Sequence, residues 1–246
     1  MSLPRFHCTP IDPQPGATVA LTDAEARHAR QILRLRAGDR AELFDGAGTE
    51  VVAEVVGPSG QELVLRVLEA RTAATELPIN IVIAPAVLKG DAMDALVRDA
   101  TMLGAAAIAP VITARTVVPA RAGHAASVVE RWGRVALASA KQCGRSVLPL
   151  IEPARPLDQA LADPAWAPAT RLILCEPAAQ AAGAAVSPGV GDDVVVLSGP
   201  EGGWAPEELA AAIALGWRPW TCSPLTMRAE TAPVAALAIL GWMRRR

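Results

Sequence analysis

Apolar residues fall along this chain in short runs, and the character of the runs changes near Pro78. In the first part they alternate with polar residues and are punctuated by glycine. Ala41–Phe44 and Val51–Val56 flank Asp45-Gly46-Ala47-Gly48, which reads as a hairpin around a glycine turn. Glu62–Leu68 reads as a further strand after Gly57-Pro58-Ser59-Gly60. Thr22-Asp23-Ala24-Glu25 has capping-box spacing and predicts a helix from Thr22 to about Leu35, ending before Gly38. Short strands with one helix predict a small β-barrel. Polar Arg71–Glu76, ending at Pro78, reads as a linker.

Beyond it the runs are continuous and alternate between two lengths. Ile79–Ala84, Ala107–Ile112, Arg171–Cys175, Val194–Leu197 and Trp217–Cys222 read as strands. Asp91–Leu103, about Ala125–Gln142, Pro206–Leu215 and Glu230–Met243 read as helices, and Ala178–Gly191 as a loop. Unbroken apolar strands alternating with helices predict a parallel α/β sheet. The expected domains are therefore residues 1–72 and 73–246.

Composition narrows the class. The chain has 246 residues, 52% of them hydrophobic, enough for one large or two modest cores. Net charge is −2, so contact with nucleic acid needs a local basic patch. Cys8, Cys143, Cys175 and Cys222 are scattered without a C-x-x-C, which fits a reducing cytosol and predicts neither disulfides nor a zinc site. The first residues form no apolar leader core, and Leu103–Ile112 and Ala232–Met243 are too short to span a bilayer. A soluble, cytoplasmic protein is expected.

Two stretches carry candidate chemistry. Ser198-Gly199-Pro200-Glu201-Gly202-Gly203-Trp204 follows the apolar run Val194–Leu197. A glycine-rich loop at the carboxyl end of a buried strand lets a ligand approach the backbone. Read structurally, the same loop is a turn feeding a helix whose first turn holds Pro206, Glu207 and Glu208. The second stretch, Met227-Arg228-Ala229-Glu230-Thr231-Ala232, opens the last apolar segment. Elsewhere Arg27, Arg30 and Arg34 share a face of the first helix, and Arg36 and Arg40 extend the cluster against Asp39 alone. Such a stripe is either an RNA contact or a solvated face. Rossmann, P-loop, zincin and nucleophile-elbow motifs are absent from the sequence.

With these segments in view, the chain resembles the RsmE family of SPOUT (trefoil-knotted) RNA methyltransferases over nearly its full length. The resemblance rests on His28 with Leu33-Arg34-Leu35, on Leu43–Gly48, and on Lys89-Gly90-Asp91-Ala92-Met93. It rests also on Thr101–Gly104 with Pro110 and Arg115, and on Lys141–Arg145 with Pro149. Gly199–Gly203 followed by Arg228-Ala229-Glu230-Thr231-Ala232 is its most specific part. The pattern departs at Ser223, where the family has glycine, at Leu225, where it has arginine, and near Met102 and Lys141, where family acids are missing.

The resemblance implies a C-terminal knotted parallel-sheet domain and a small N-terminal PUA-like β-barrel for RNA. It implies S-adenosylmethionine as cofactor, no metal, a homodimer, and methylation of N3 of uridine 1498 in 16S ribosomal RNA. The cofactor would lie against Leu174, Glu176, Leu197, Gly199, Pro200, Glu201, Gly202, Gly203, Cys222, Ser223, Leu225 and Met227. RNA would meet Arg5, Arg27, His28, Arg30, Arg34, Arg36, Arg115 and Arg145. Methyl transfer from a sulfonium is a direct displacement, so the residues must align the reactants and manage the N3 proton. Arg228 is expected to stabilise the uridine anion, and Glu201 or Glu230 to accept the proton. Glu230 could instead satisfy free amides at a helix start. Two other readings stand beside this one: a non-catalytic RNA-binding or assembly factor that keeps the knot, and a SPOUT enzyme with another RNA target.

Overall fold

The computed structural model describes residues 3–117, 126–177, 191 and 193–244. The predicted loop 178–191 lies almost wholly outside them. The chain forms two compact units, Met1–Thr75 with Ala140–Leu148, and Glu76–Ser139 with Pro149–Arg246.

In the first unit, β1 (Arg5–His7), β2 (Thr18–Leu21), α1 (Asp23–Arg27), β3 (Arg40–Phe44), β4 (Glu50–Ser59) and β5 (Glu62–Ala70) follow in order. The strands form one curled sheet, β1-β3-β4-β5-β2, antiparallel except where β1 runs parallel to β3. Its concave side buries Phe6, Leu21, Leu43, Leu63 and Leu65 together with Ala26 and Ala29 from the helix. The predicted hairpin is present, with Asp45 Oδ1 accepting from Ala47 and Thr49 amides in its turn.

The predicted helix is shorter and differently built. Thr22 makes no side-chain cap, and the Glu25 carboxylate, the other half of the predicted box, accepts instead from Lys141 Nζ at 2.7 Å. After Arg27 the backbone widens to π spacing over His28–Ile32: Leu33 N–H donates to His28 O, five residues back, at 3.0 Å. Arg34, at φ 56°, is the one non-glycine residue in the left-handed region among the described residues.

The second unit holds β6 (Asn80–Pro85), α2 (Asp91–Met102), β7 (Ala107–Ile108), β8 (Val111–Ile112) and α3 (Ala126–Cys143), whose end belongs to the first unit. Then come β9 (Leu150–Ile151), β10 (Arg155–Pro156), α4 (Leu157–Leu161), β11 (Thr170–Leu174), β12 (Asp193–Ser198), α5 (Pro206–Ala214), β13 (Arg218–Trp220) and α6 (Thr231–Arg244). A parallel sheet runs β13-β11-β12-β6-β7-β9, as the continuous apolar strands predict. On one face Val194, Val196, Ile81 and Ile83 pack with Met93, Leu96, Leu237 and Leu240 of α2 and α6. On the other, Val195 and Leu197 pack with Ala212 and Trp217. The single strand expected over Ala107–Ile112 is split in two. Ala109-Pro110 interrupts it, and β8 pairs with β10 outside the main sheet. No helix among the described residues is long and apolar enough to cross a membrane.

Candidate functional site

The carboxyl ends of β11, β12 and β13 open into a cavity of about 850 Å³. Three segments wall it: Leu174–Pro177 after β11, Ser198–Pro206 after β12, and Trp220–Ala232 after β13. A crevice at the carboxyl edge of a parallel sheet is where such folds place ligands. The loop after β12 is held from several directions. Trp204 Nε1 donates to Leu174 O at 2.8 Å, and the indole lies so close to Gly199 that a Cβ there would meet it at 3.2 Å. Gly203 adopts φ 67°, which a side chain would strain. Arg115 Nη1 donates to Gly202 O at 2.8 Å. Glu208 ties the loop to its helix, one oxygen accepting from Ala205 N–H at 3.0 Å and the other from Ala114 N–H at 2.7 Å.

The loop after β13 turns back on itself. Ser223 Oγ accepts from Leu225 N–H at 3.1 Å, and Thr221 Oγ1 donates to Cys175 O at 3.1 Å. Arg228 O accepts the first amides of α6, those of Thr231 and Ala232, at 3.0 Å each. The Arg228 guanidinium is 86% exposed and stands 3.9 Å from the 26%-exposed Glu230 carboxylate. Glu201 Oε1 accepts from Lys89 N–H at 3.3 Å. Burial pushes the Cys175 thiol up to about 11 and shifts Cys222 in the same direction, so both are neutral thiols near pH 7 and poor nucleophiles. The site thus offers a largely apolar pocket, a glycine-built backbone wall and a charged rim.

Comparison with known proteins fits this arrangement. Residues 75–241 match the RNA methyltransferase domain, and residues 21–68 the RNA methyltransferase PUA domain. A ribosomal RNA small subunit methyltransferase E from Synechocystis is 32% identical over 90% of this chain and 72% of its own length. This chain belongs to the ribosomal RNA small subunit methyltransferase E family. Among solved family structures, the Neisseria gonorrhoeae protein bound to S-adenosyl methionine shares 31% identity and superposes with a TM-score of 0.86, covering 98% of both chains. A Legionella pneumophila protein solved with bound SAM shares 28% identity with a TM-score of 0.88, covering 99% of this chain and 98% of its own. The second unit is accordingly a SPOUT methyltransferase domain, and the curled sheet of the first is PUA-like.

In this family member, the residues expected around the cofactor line the cavity with one exception. The Leu197 side chain points to the opposite face of the sheet, into the core around Trp217. Arg228, Glu201 and Glu230 all border the cavity, although they come from two loops. The arginines expected at RNA divide three ways. Arg27, His28, Arg30, Arg34 and Arg36 are exposed on the first unit, although the π-widened helix breaks the even stripe that α-helical spacing predicts. Arg30 also donates to Gln61 O at 3.2 Å and so holds the β4–β5 hairpin. Arg115 belongs to the cavity wall. Arg5 and Arg145 are buried, which corrects their assignment to an RNA surface. The Arg5 side chain, 8% exposed, pairs with Glu42 at 3.1 Å and Glu50 at 3.0 Å and donates to Ser146 Oγ at 2.8 Å. Arg145 is 6% exposed and its carbonyl accepts from Arg5. Ser198, Trp204, Trp220 and Thr221 also line the cavity, although none was among the expected cofactor contacts; Ser198 and Trp204 bound the glycine-rich stretch, whereas Trp220 and Thr221 lie in an apolar run read only as a strand.

Proposed function

We propose that this chain methylates N3 of a uridine in 16S ribosomal RNA, uridine 1498, using S-adenosylmethionine, as a cytoplasmic homodimer. The observation that carries the reading is the convergence of the G-P-E-G-G and R-x-E-T-A segments, separate in sequence, on one cavity at the sheet's carboxyl edge. The residues present suit the cofactor. Apolar Leu174, Leu225 and Met227 with the backbone of Gly199–Gly203 would hold a flat nucleoside, and Arg115, Glu176 and Glu201 would offer charges for an amino-acid end. The family resemblance assigns these same loops to the knot. When bound, S-adenosylmethionine supplies an electrophilic methyl group on a sulfonium.

The chain's own residues do the rest. Arg228 is exposed at the cavity and, among the described residues, its ion pair is the long one to Glu230 at 3.9 Å, so its guanidinium can face the uracil ring and stabilise negative charge developing there. Glu230 is the better-placed proton acceptor. The first amides of α6 are already taken by Arg228 O, which leaves its carboxylate unneeded as a cap, whereas Glu201 is engaged with Lys89 N–H. The exposed arginines of the first unit, Met1–Thr75 with Ala140–Leu148, give RNA a basic docking surface.

Mass spectrometry of 16S RNA from a strain lacking the gene tests the assignment. N3-methyluridine should disappear, return with the wild-type chain, and fail to return with Arg228→Ala. If the modification persists in the deletion strain, the target is wrong. Leu225, 75% exposed at the cavity where the family has arginine, favours the second reading, a binding protein without turnover. That reading requires no S-adenosylmethionine binding by calorimetry.

A further inference from the structure

Ser198 is the last residue of β12, and its register partner on β6 is Pro85, which has no N–H to offer. Side chains alternate along β12: Val195 and Leu197 enter one core, Val194 and Val196 the other, so Ser198 continues the second face. Six members of that face also border the cavity: Ala92, Leu174, Trp220, Cys222, Ala229 and Ala232. Ser198 is 2% exposed, borders the cavity with them, and its Oγ finds no hydrogen-bond partner among the described residues. Two other cavity hydroxyls are engaged, Thr221 with Cys175 O and Ser223 with Leu225 N–H. A buried hydroxyl left unpaired is a cost to the free protein, and a partner arriving from outside removes it.

We propose that Ser198 is a specificity-determining contact for the nucleoside half of S-adenosylmethionine, hydrogen-bonding an uncharged polar group of the base or ribose. The inference rests on the cofactor reading above. Charge decides which half. The charged side chains that border the cavity are Arg115, Glu176, Glu201, Arg228 and Glu230, and none belongs to the apolar face that Ser198 shares. A lone hydroxyl among apolar side chains cannot hold a carboxylate or an ammonium out of water. It can orient a flat, mostly apolar ring system that carries a few polar edges.

The test is Ser198→Ala in the full chain, measured by calorimetry against S-adenosylmethionine and against 5′-methylthioadenosine, which lacks the amino-acid end, with thermal melting of the free protein alongside. The variant should melt at the same temperature or higher without ligand, since it loses an unpaired group. It should bind both ligands roughly tenfold more weakly, the size of one buried hydrogen bond. Unchanged affinity overturns the inference. So does a lower melting temperature, which would mean that the hydroxyl serves the fold. A loss confined to S-adenosylmethionine would move the contact to the amino-acid half and overturn it as well. A wild-type chain that binds neither ligand overturns the cofactor reading itself, and that result is distinct from binding unaffected by the substitution.

Discussion

Arg115 holds the carbonyl of Gly202: its Nη1 donates at 2.8 Å, and its Cβ lies 3.5 Å from the point where a Cβ on Gly202 would stand. The arginine is exposed, so the fold does not depend on it. Arg115→Ala should leave the melting temperature unchanged and weaken S-adenosylmethionine binding about five- to tenfold by loosening the loop. Calorimetry reads this directly, and an unchanged affinity would make the contact incidental.

Gly203 and Gly202 separate backbone strain from ligand contact. Gly203 sits at φ 67°, so Gly203→Ala should destabilise the chain by about 1–2 kcal/mol in urea unfolding. A Cβ on Gly202 meets only ordinary contacts, so Gly202→Val should fold normally. If the loop faces the cofactor, that variant should nonetheless lose S-adenosylmethionine binding. Normal binding would remove Gly202 from the site.

Arg5 and Glu50 make the first unit acid-labile. Burial raises the Glu50 carboxyl, but hydrogen bonds from Arg5 and Ser146, with the charges of Arg5 and Arg71, outweigh it and hold the group below its ordinary value. The stability this adds is present above the unfolded value, about pH 4.3, and is lost as pH falls through the folded one. Glu50→Gln should flatten the loss of stability in that acid range. Arg5→Met should cost roughly 3–5 kcal/mol, because it leaves a buried carboxylate without its cation. Denaturant unfolding of both variants between pH 3 and 7 checks the sign.

Much of this was legible where a signal is local. Continuous apolar strands give the parallel sheet, and Ser198-Gly199 at the end of β12 marks its open edge. Pairings between distant residues were not legible. Glu25 has the right spacing to cap α1, yet Lys141, 116 positions away, takes its carboxylate. Arg5 looks like a surface cation until Ser146, 141 positions on, and Glu50 enclose it. Leu197 sits beside the glycine loop in sequence, but strand alternation turns its side chain away from the cavity.

The exposed arginines carry a salt-dependence prediction. Arg27, Arg34 and Arg36 are suited to replacement, whereas Arg30 also supports the β4–β5 hairpin. Replacing the three with Ala should weaken RNA binding and make the slope of log K against log salt shallower by about 2–3, with S-adenosylmethionine affinity unchanged. An unaltered slope would return the cluster to a solvated surface. Arg34→Gly should separately relieve strain, raising stability while weakening RNA binding.

The last helix predicts the oligomeric state. Its sequence is apolar on every side, yet Ala238 is exposed and Trp242 is 56% exposed, one turn apart on one face. A twofold interface through this face would cover both. Ala238→Glu, rather than a change at half-buried Ala235, should then give a monomer in sedimentation and abolish methylation. A wild-type chain that sediments as a monomer at micromolar concentration would remove the interface.

The return of Ala140–Leu148 to the first unit gives its folding a schedule. Leu148 N–H donates to Gly46 O at 2.8 Å, and Ser146 hydrogen-bonds both Arg5 and Glu50. During synthesis the ribosome must add the 73 residues between Thr75 and Leu148 before these partners exist. At typical elongation rates that is a wait of roughly 4–15 s. Through that interval the Arg5–Glu50 pair lacks Ser146 and the hairpin turn lacks its covering segment. A nascent chain stalled at residue 75 should therefore be protease-sensitive, and one stalled well past residue 148 should resist.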